Sequence, residues 1–98
     1  MPKTVVRLAE SALRDPEDVL RWYSERGVPE VGQRFVAELM ARIEALEVHP
    51  DRGRIAPELS QPFLRELIHP PFRIVYRRDP DRVRVVRVWR SERLLKLP

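Results

Sequence analysis

Residues 72–90 have the sequence FRIVYRRDPDRVRVVRVWR, in which two runs rich in apolar residues and arginine flank Asp79-Pro80-Asp81. Runs of valine, isoleucine and aromatic residues predict β-strands, and a three-residue linker of turn formers predicts a hairpin between them. We therefore expect strands at residues 72–78 and 82–90. The pair Val85-Val86 breaks the alternation of the second strand, which is typical of a central strand or of a β-bulge.

The segments that precede this hairpin predict two more strands. Residues 63–69 have a similar composition, and Pro70-Pro71 marks the turn that follows them. Residues 4–8 (TVVRL) alternate β-branched and other residues, the pattern of a short strand at the start of the chain. Residues 51–62 contain turn formers and show no period, so we expect a loop there.

Two helices are predicted between the first strand and this loop. Asp15-Pro16 places a capping side chain before a proline at the first helical position, and Gly27 supplies a stop after Arg26. A second helix should begin at Pro29 and continue to His49-Pro50. Its apolar residues recur every three or four positions, at Phe35, Leu39, Ile43 and Leu46.

The connection between the two helices is only a few residues long, so they should pack antiparallel as a hairpin. The predicted order is β-α-α-β-β-β. This is an α+β fold, with a mainly antiparallel sheet and the N-terminal helical hairpin packed on one face.

Composition limits the classes of protein that fit. The chain has 98 residues, of which 43% are hydrophobic and 35% charged, so we expect one domain over residues 1–98 with a single core. The absence of cysteine excludes disulfides, thiolate zinc sites and a cysteine nucleophile. No glycine-rich phosphate loop or cluster of metal-ligand residues is evident, so we expect no cofactor and no metal. No apolar run approaches the ~18 residues of a membrane span, and we expect a cytoplasmic protein without a membrane partner.

The positive charge is concentrated in the last third of the chain. Residues 62–98 carry 10 basic and 4 acidic side chains, net +6, whereas residues 1–61 carry 9 and 11, net −2. Of the 19 basic residues, all except Lys3 and Lys96 are arginine. This asymmetry predicts attraction to a polyanion or to an acidic protein segment.

Several short strings, in this order and spacing, resemble the RelE/ParE superfamily of bacterial type II toxins, and its ParE branch more closely. The resemblance spans nearly the whole chain. It is carried by residues 18–23 (DVLRWY), Gly53-Arg54, Pro57-Glu58-Leu59, Arg65-Glu66-Leu67, residues 72–77 (FRIVYR) and residues 86–93 (VRVWRSER). The resemblance implies a cytoplasmic growth inhibitor that a cognate antitoxin holds inactive in a hetero-oligomer.

Resemblance to the ParE branch implies a toxin that binds and poisons DNA gyrase or another topoisomerase. The basic C-terminal third would then contact the target, because apolar anchors ringed by charge are typical of protein interfaces. An alternative is that its leucines fold back over the sheet. The candidate target-binding residues are Trp89, Arg90, Arg93, Leu94, Leu95 and Lys96.

Resemblance to the RelE branch implies a different activity, ribosome-dependent cleavage of messenger RNA without a metal. In that alternative Arg73 and Arg77 would stabilise the phosphate in the transition state, and Glu66 and Tyr76 are the candidates for proton transfer. Related sequences often have a histidine where this chain has Arg90, and arginine cannot act as a base.

The two histidines are further candidates for proton transfer, but they and Tyr76 also have simpler explanations. Tyr76 alternates with Phe72 and Ile74, so a core position is expected for it. His49 and His69 each precede a proline at a turn and are expected to be loop residues. A third alternative, a non-toxic nucleic-acid-binding module, accounts for the charge but not for the strings.

An antitoxin whose acidic, partly disordered segment folds along the helical hairpin would complement the charge and cover apolar surface. Helix positions outside the main apolar stripe are normally polar. The apolar residues Val31, Val36 and Met40 are therefore the candidate antitoxin-binding residues.

Overall fold

A computed structural model of the chain describes residues 3–56 and 61–90. Two helices, α1 and α2, pack on one face of a five-stranded sheet. In chain order the elements are β1 (Val5–Leu8), α1 (Asp15–Glu25), α2 (Pro29–Glu44), β2 (Arg54–Ile55), β3 (Leu64–His69), β4 (Phe72–Asp79) and β5 (Arg82–Arg90).

The strands lie in the order β1-β5-β4-β3-β2. The β4–β5 hairpin pairs antiparallel as expected, and β3 pairs antiparallel with β4 through the turn at Pro70 and Pro71. β1 pairs parallel with β5, so the first strand of the chain lies beside the last. The α+β fold with a helical hairpin on one face is thus confirmed.

Apart from shifts of one residue at the ends of elements, the helices and strands differ from the expected ones in two places. Residues 51–62 were expected to form a loop, but Arg54 and Ile55 form β2, which pairs with Glu66 and Arg65 at the edge of the sheet. A strand of two residues is too short to show a period. The second helix ends at Glu44 and continues as one short 3-10 turn at Ala45–Glu47, before the expected His49-Pro50.

The core lies between the helical hairpin and the sheet. Leu39 and Ile43 of α2 are buried there, as are Phe72 and Ile74 of β4. The ring of Tyr23 lies 6.5 Å from that of Phe72, centroid to centroid. Both helices therefore anchor on the middle of the sheet. In the described part of the chain, no helix combines the length and the apolarity that crossing a membrane requires.

A β-bulge in β5 decides which side chains lie on each face of the sheet. Val75 pairs with Arg87, but the next residue of β4, Tyr76, pairs with Val85, so β5 contains one extra residue at Val86. The expected break in alternation at Val85-Val86 is therefore a bulge in a central strand. It allows Val85 and Val88 to face the core together, although they are three residues apart.

Among residues 3–56 and 61–90, no strand lies beside the edge of β5 beyond Val85, because β1 ends at Leu8. Two side chains make hydrogen bonds to the β5 backbone in place of those that a neighbouring strand would make. The hydroxyl of Ser11 donates to the carbonyl of Val86 at 2.7 Å, and the carboxylate of Asp15 accepts from the backbone N–H of Val88 at 2.7 Å. Asp15 also accepts from Nε of Arg87 at 3.1 Å.

Asp15 was expected to cap α1, but the structure contradicts this. Asp15 is the first residue of the helix, and no side chain caps the helix N-terminus. Its carboxylate is buried at 5% exposure and faces β5. The reason is that the Val88 N–H lies inside the protein, and a buried donor without an acceptor costs more free energy than an uncapped, solvated helix end.

Replacing Asp15 with alanine should lower the free energy of unfolding by about 1–3 kcal/mol, because it leaves the buried N–H of Val88 without an acceptor. Urea denaturation followed by circular dichroism measures this change. The control is Asp18→Ala in the same helical turn, whose exposed pair with Arg21 should contribute within about 0.5 kcal/mol. Equal effects of the two substitutions would contradict the assigned role of Asp15.

Candidate functional site

The face of the sheet opposite the helices, here called the outer face, is rich in arginine. Residues that are paired across neighbouring strands point to the same face of the sheet. The strand register therefore identifies the residues of the outer face. These include Arg7 on β1, Arg54 on β2, Glu66 on β3, Arg73 and Arg77 on β4, and Arg84, Arg87 and Trp89 on β5. Much of the positive charge of the C-terminal third thus lies on one surface.

A buried carboxylate organises the part of this face nearest β2. The side chain of Glu66 is 0% exposed. One of its oxygens accepts from Nε of Arg54 at 2.7 Å and lies 2.6 Å from Nη2 of the same guanidinium. Its other oxygen pairs with Nε of Arg73, whose side chain is only 6% exposed. Glu66 is therefore held between two arginines.

The strand register explains why these three side chains meet. Arg54 on β2 pairs directly with Glu66 on β3, and Arg73 on β4 lies two residues from Val75, the partner of Glu66. Burial, and then the positive charge of Arg54, lower the pKa of the Arg73 guanidinium from its usual value. The carboxylate of Glu66 supplies the opposite charge that a buried cation requires.

Trp89 adjoins this group on the outer face. The centre of its ring lies 5.9 Å from the guanidinium carbon of Arg73 and 5.7 Å from that of Arg87. These distances are within the range of cation–π attraction. We call Arg54, Glu66, Arg73, Arg87 and Trp89 the Glu66 cluster. It presents a half-buried indole among guanidinium groups.

Arg90 lies on the other face of the sheet, because consecutive residues of a strand point in opposite directions. Its guanidinium donates to the hydroxyl of Tyr23 at 2.7 Å and lies 4.2 Å from the centre of the Trp22 ring. Arg26 lies over the same indole at 3.6 Å. Arg90 thus fastens the end of β5 to α1. Trp22 packs partly buried against the core.

The structure accordingly divides the candidate target-binding residues. Trp89 belongs to the Glu66 cluster, and Arg90 belongs to the contact between β5 and α1. The remaining four candidates lie outside the described residues: Arg93, Leu94, Leu95 and Lys96.

The four residues considered for RNA cleavage are also separated. Glu66 and Arg73 are in contact, whereas Arg77 lies four residues further along β4, roughly 13 Å away at 3.3 Å per residue. Arg77 is exposed and pairs with Asp79 at 2.9 Å. Tyr76 faces the core and is 0% exposed.

The hydroxyl of Tyr76 has two hydrogen bonds inside the protein. It donates to the carbonyl of Pro50 at 2.7 Å and accepts from the N–H of Gly53 at 2.9 Å. Burial raises the pKa of this phenol from its usual value, so the neutral form is favoured. These contacts tie the segment before β2 to the core, which favours a structural role for Tyr76.

Sequence reasoning missed Arg54 as a member of the site, because residues 51–62 were expected to be a loop. The available signal was the string Gly53-Arg54. Gly53 lies against the Tyr76 ring, and a Cβ at this position would come within 2.7 Å of it. Only a glycine fits there, and this close approach places Arg54 beside Glu66.

The remaining candidates lie on the helical side. His69 contacts Glu38 through Nε2 at 2.9 Å and Arg42 through Nδ1 at 3.2 Å, which links β3 to α2. It is therefore more than a loop residue.

On α2, Val31 and Val36 pack partly buried against the core, and Met40 is 36% exposed. Of the three antitoxin-binding candidates, Met40 offers the most accessible apolar surface.

Comparison with known proteins agrees with this fold. A sequence model of the family described as the ParE toxin of the type II toxin-antitoxin system parDE matches residues 6–95. Because this match covers most of the chain, it identifies the protein as a toxin of a type II toxin-antitoxin system. The chain belongs to the ParE toxin family. A search of curated proteins finds no match.

Two solved structures share the fold. One is from the chromosomal ParDE toxin-antitoxin system of P. aeruginosa, with a TM-score of 0.75 and 18% identity over 90% of this chain and 96% of that one. The other is from the RelBE2 toxin-antitoxin complex of Mycobacterium tuberculosis, with a TM-score of 0.66 and 22% identity over 90% of this chain and 98% of that one.

Replacing Glu66 with alanine should lower the free energy of unfolding by about 3–5 kcal/mol, because it leaves the buried Arg73 cation without its carboxylate. Replacing Arg73 with methionine in the same protein should recover part of this loss, since no unpaired charge then remains. A double-mutant cycle by urea denaturation should give a coupling energy of more than about 1 kcal/mol. The exposed Glu44→Ala is the control, and additive effects of the two substitutions would refute the pairing.

Proposed function

We propose that this protein is a ParE-like toxin that acts in the cytoplasm by binding and blocking DNA gyrase or another topoisomerase, and that a cognate antitoxin neutralises it. The family match supports a toxin. The observation that favours binding over catalysis is the state of Glu66, which is buried between Arg54 and Arg73.

Cleavage of RNA by its own 2′-hydroxyl requires one group to take a proton and another to give one. Among the residues considered for these steps, Glu66 is enclosed by two cations, and Tyr76 is buried with its hydroxyl engaged twice. Arg90, where related sequences often have histidine, has no acceptor nitrogen. Binding to a protein target requires no proton transfer, so this arrangement is compatible with it.

The Glu66 cluster has the properties of a binding surface. Tryptophan and arginine are the residues most enriched at the energetic centres of protein interfaces. The indole of Trp89 is held between Arg73 and Arg87, so little side-chain entropy would be lost on contact. In this proposal Arg93, Leu94, Leu95 and Lys96 extend the surface, and Arg90 contributes by fixing the end of β5 from which they follow.

A specific observation also favours the RelE-like alternative. Arg54 and Arg73 are positioned together on the sheet, and paired cations are what a developing phosphorane charge requires. This alternative retains Arg73 and Arg77 as phosphate-binding residues, and the ribosome with its messenger RNA as partner. The first experiment below distinguishes it from topoisomerase binding.

The antitoxin is proposed to be an acidic segment that folds along α2. The two similar structures described above come from toxin-antitoxin systems, which supports such a partner. In this proposal the segment contacts Met40 directly, and Val31 and Val36 through their exposed edges. The net charge of +4 would attract it over a distance.

The purified protein should inhibit supercoiling of relaxed plasmid by DNA gyrase. Arg93→Glu should weaken this inhibition about tenfold, since a lost charge contact at an interface costs about 1.4 kcal/mol or more. The control is Arg14→Glu, the same charge change beside the start of α1. Primer extension on messenger RNA after induction provides the second readout. Cleaved transcripts together with normal supercoiling would reject topoisomerase binding in favour of the RelE-like activity.

Expression of the chain alone should arrest bacterial growth, and co-expression of the small protein encoded beside it should restore growth. Met40→Asp should weaken the complex of the two proteins about tenfold, because it places a charge in an apolar contact with an acidic partner. Val48→Asp makes the same change at another exposed apolar residue and should leave the affinity unchanged. Calorimetry of the purified pair measures both, and equal affinities of the two variants would place the antitoxin elsewhere.

A further inference from the structure

A second basic feature lies on the outer face toward the β1 edge, apart from the Glu66 cluster. It is a shallow depression of about 270 Å³ between β1 and the start of β5. Six residues line it: Val5, Arg7, Asp81, Arg82, Val83 and Arg84. Three of the six are arginines and one is an acid, so the depression has a positive potential.

The arginines form a row across three strands. Arg7 on β1 pairs in register with Arg84 on β5, and Arg84 pairs in register with Arg77 on β4. Neighbouring strands lie about 4.8 Å apart, so these side chains leave the same face of the sheet from backbone positions separated by about that distance. Like charges directly opposite each other destabilise a sheet. The row therefore carries a cost in the isolated protein.

Of the three arginines in the row, only Arg77 pairs with an acid of the described residues. Asp79 pairs with Arg77 at 2.9 Å, and Asp81 contacts Arg82 at 3.4 Å. Arg7 and Arg84 are exposed, and neither forms an ion pair or a side-chain hydrogen bond within residues 3–56 and 61–90. An anion placed between these two guanidinium groups would relieve their repulsion.

We propose that this depression binds a backbone phosphate of a nucleic-acid strand. Guanidinium groups donate two parallel hydrogen bonds to phosphate, and two of them side by side match one tetrahedral anion. Because Arg7 and Arg84 lie on the open face of the sheet, a ligand whose anionic group binds between them can extend beyond the depression along the row.

The residues that lie beside Arg7 and Arg84 favour a nucleic acid as the ligand. From Arg7 and Arg84 the row continues to Arg77, whose guanidinium lies 4.5 Å from the centre of the Phe63 ring. Phe63 is 38% exposed. Single-stranded nucleic acids bind where guanidinium groups contact phosphates beside aromatic rings on which bases stack. A carboxylate side chain would gain nothing from the ring, whereas a nucleic-acid base can stack on it.

The test measures binding of a fluorescently labelled oligothymidylate by anisotropy across a range of salt concentrations. The double variant Arg7→Gln/Arg84→Gln should reduce affinity about tenfold and lower the slope of log affinity against log salt by about 0.7 for each lost contact. The matched control is Arg14→Gln/Arg21→Gln, which removes the same charge from the helical side and should leave the slope unchanged. Circular dichroism and the urea midpoint verify that both variants are folded.

Three outcomes would overturn the proposal. The first is equal affinity and equal salt slope for the wild type and the Arg7/Arg84 variant. The second is displacement of the oligonucleotide by inorganic pyrophosphate or ATP at equal phosphate concentration, which would assign the site to a free phosphate ester. The third is binding of polyglutamate as tight as that of the oligonucleotide and lost in the same variant, which would assign it to an acidic peptide. No topoisomerase or antitoxin is present, so the result is independent of the proposed function.

Discussion

The extra residue in β5 is the constraint on which both surfaces of the sheet depend. Strict alternation from Val83 and Val85 would direct Arg87 and Trp89 into the core and Val88 to the solvent. The bulge at Val86 reverses this assignment for the second half of the strand. Asp15 accepts from the Val88 N–H just beyond the bulge and so holds the shifted register in place.

This register concentrates charge on one face of the sheet and leaves the other to pack on the helices. The electrostatic repulsion between these neighbouring arginines is offset in two ways. In the Glu66 cluster, a buried carboxylate is shared by two guanidinium groups, so the cations are fixed in position. Toward β1, Arg7 and Arg84 lie side by side without such a carboxylate in the described residues, which is the arrangement expected where a ligand supplies the anion.

The geometry of the outer face is compatible with the binding activity proposed for this member of the ParE family. Preorganised cations beside an indole recognise a partner through shape and charge. Chemistry on RNA would need accessible groups that exchange protons. Two of the four groups considered hold the fold together instead: Glu66 stabilises the buried Arg73, and Tyr76 fixes the segment that precedes β2. Recognition therefore requires fewer changes to this structure than catalysis does.

The sequence by itself determined the helical hairpin, the β4–β5 hairpin, the irregularity at Val85-Val86 and the concentration of positive charge, because these are properties of neighbouring residues. The tertiary structure alone decided that Arg54 contacts Glu66 beside Arg73. It also decided that Trp89 and Arg90 lie on opposite faces of the sheet, and that Asp15 hydrogen-bonds to β5. Each of these depends on contact between segments far apart in the chain. Local periodicity carries no information about which strand lies beside which, and strand order is what brings those side chains together.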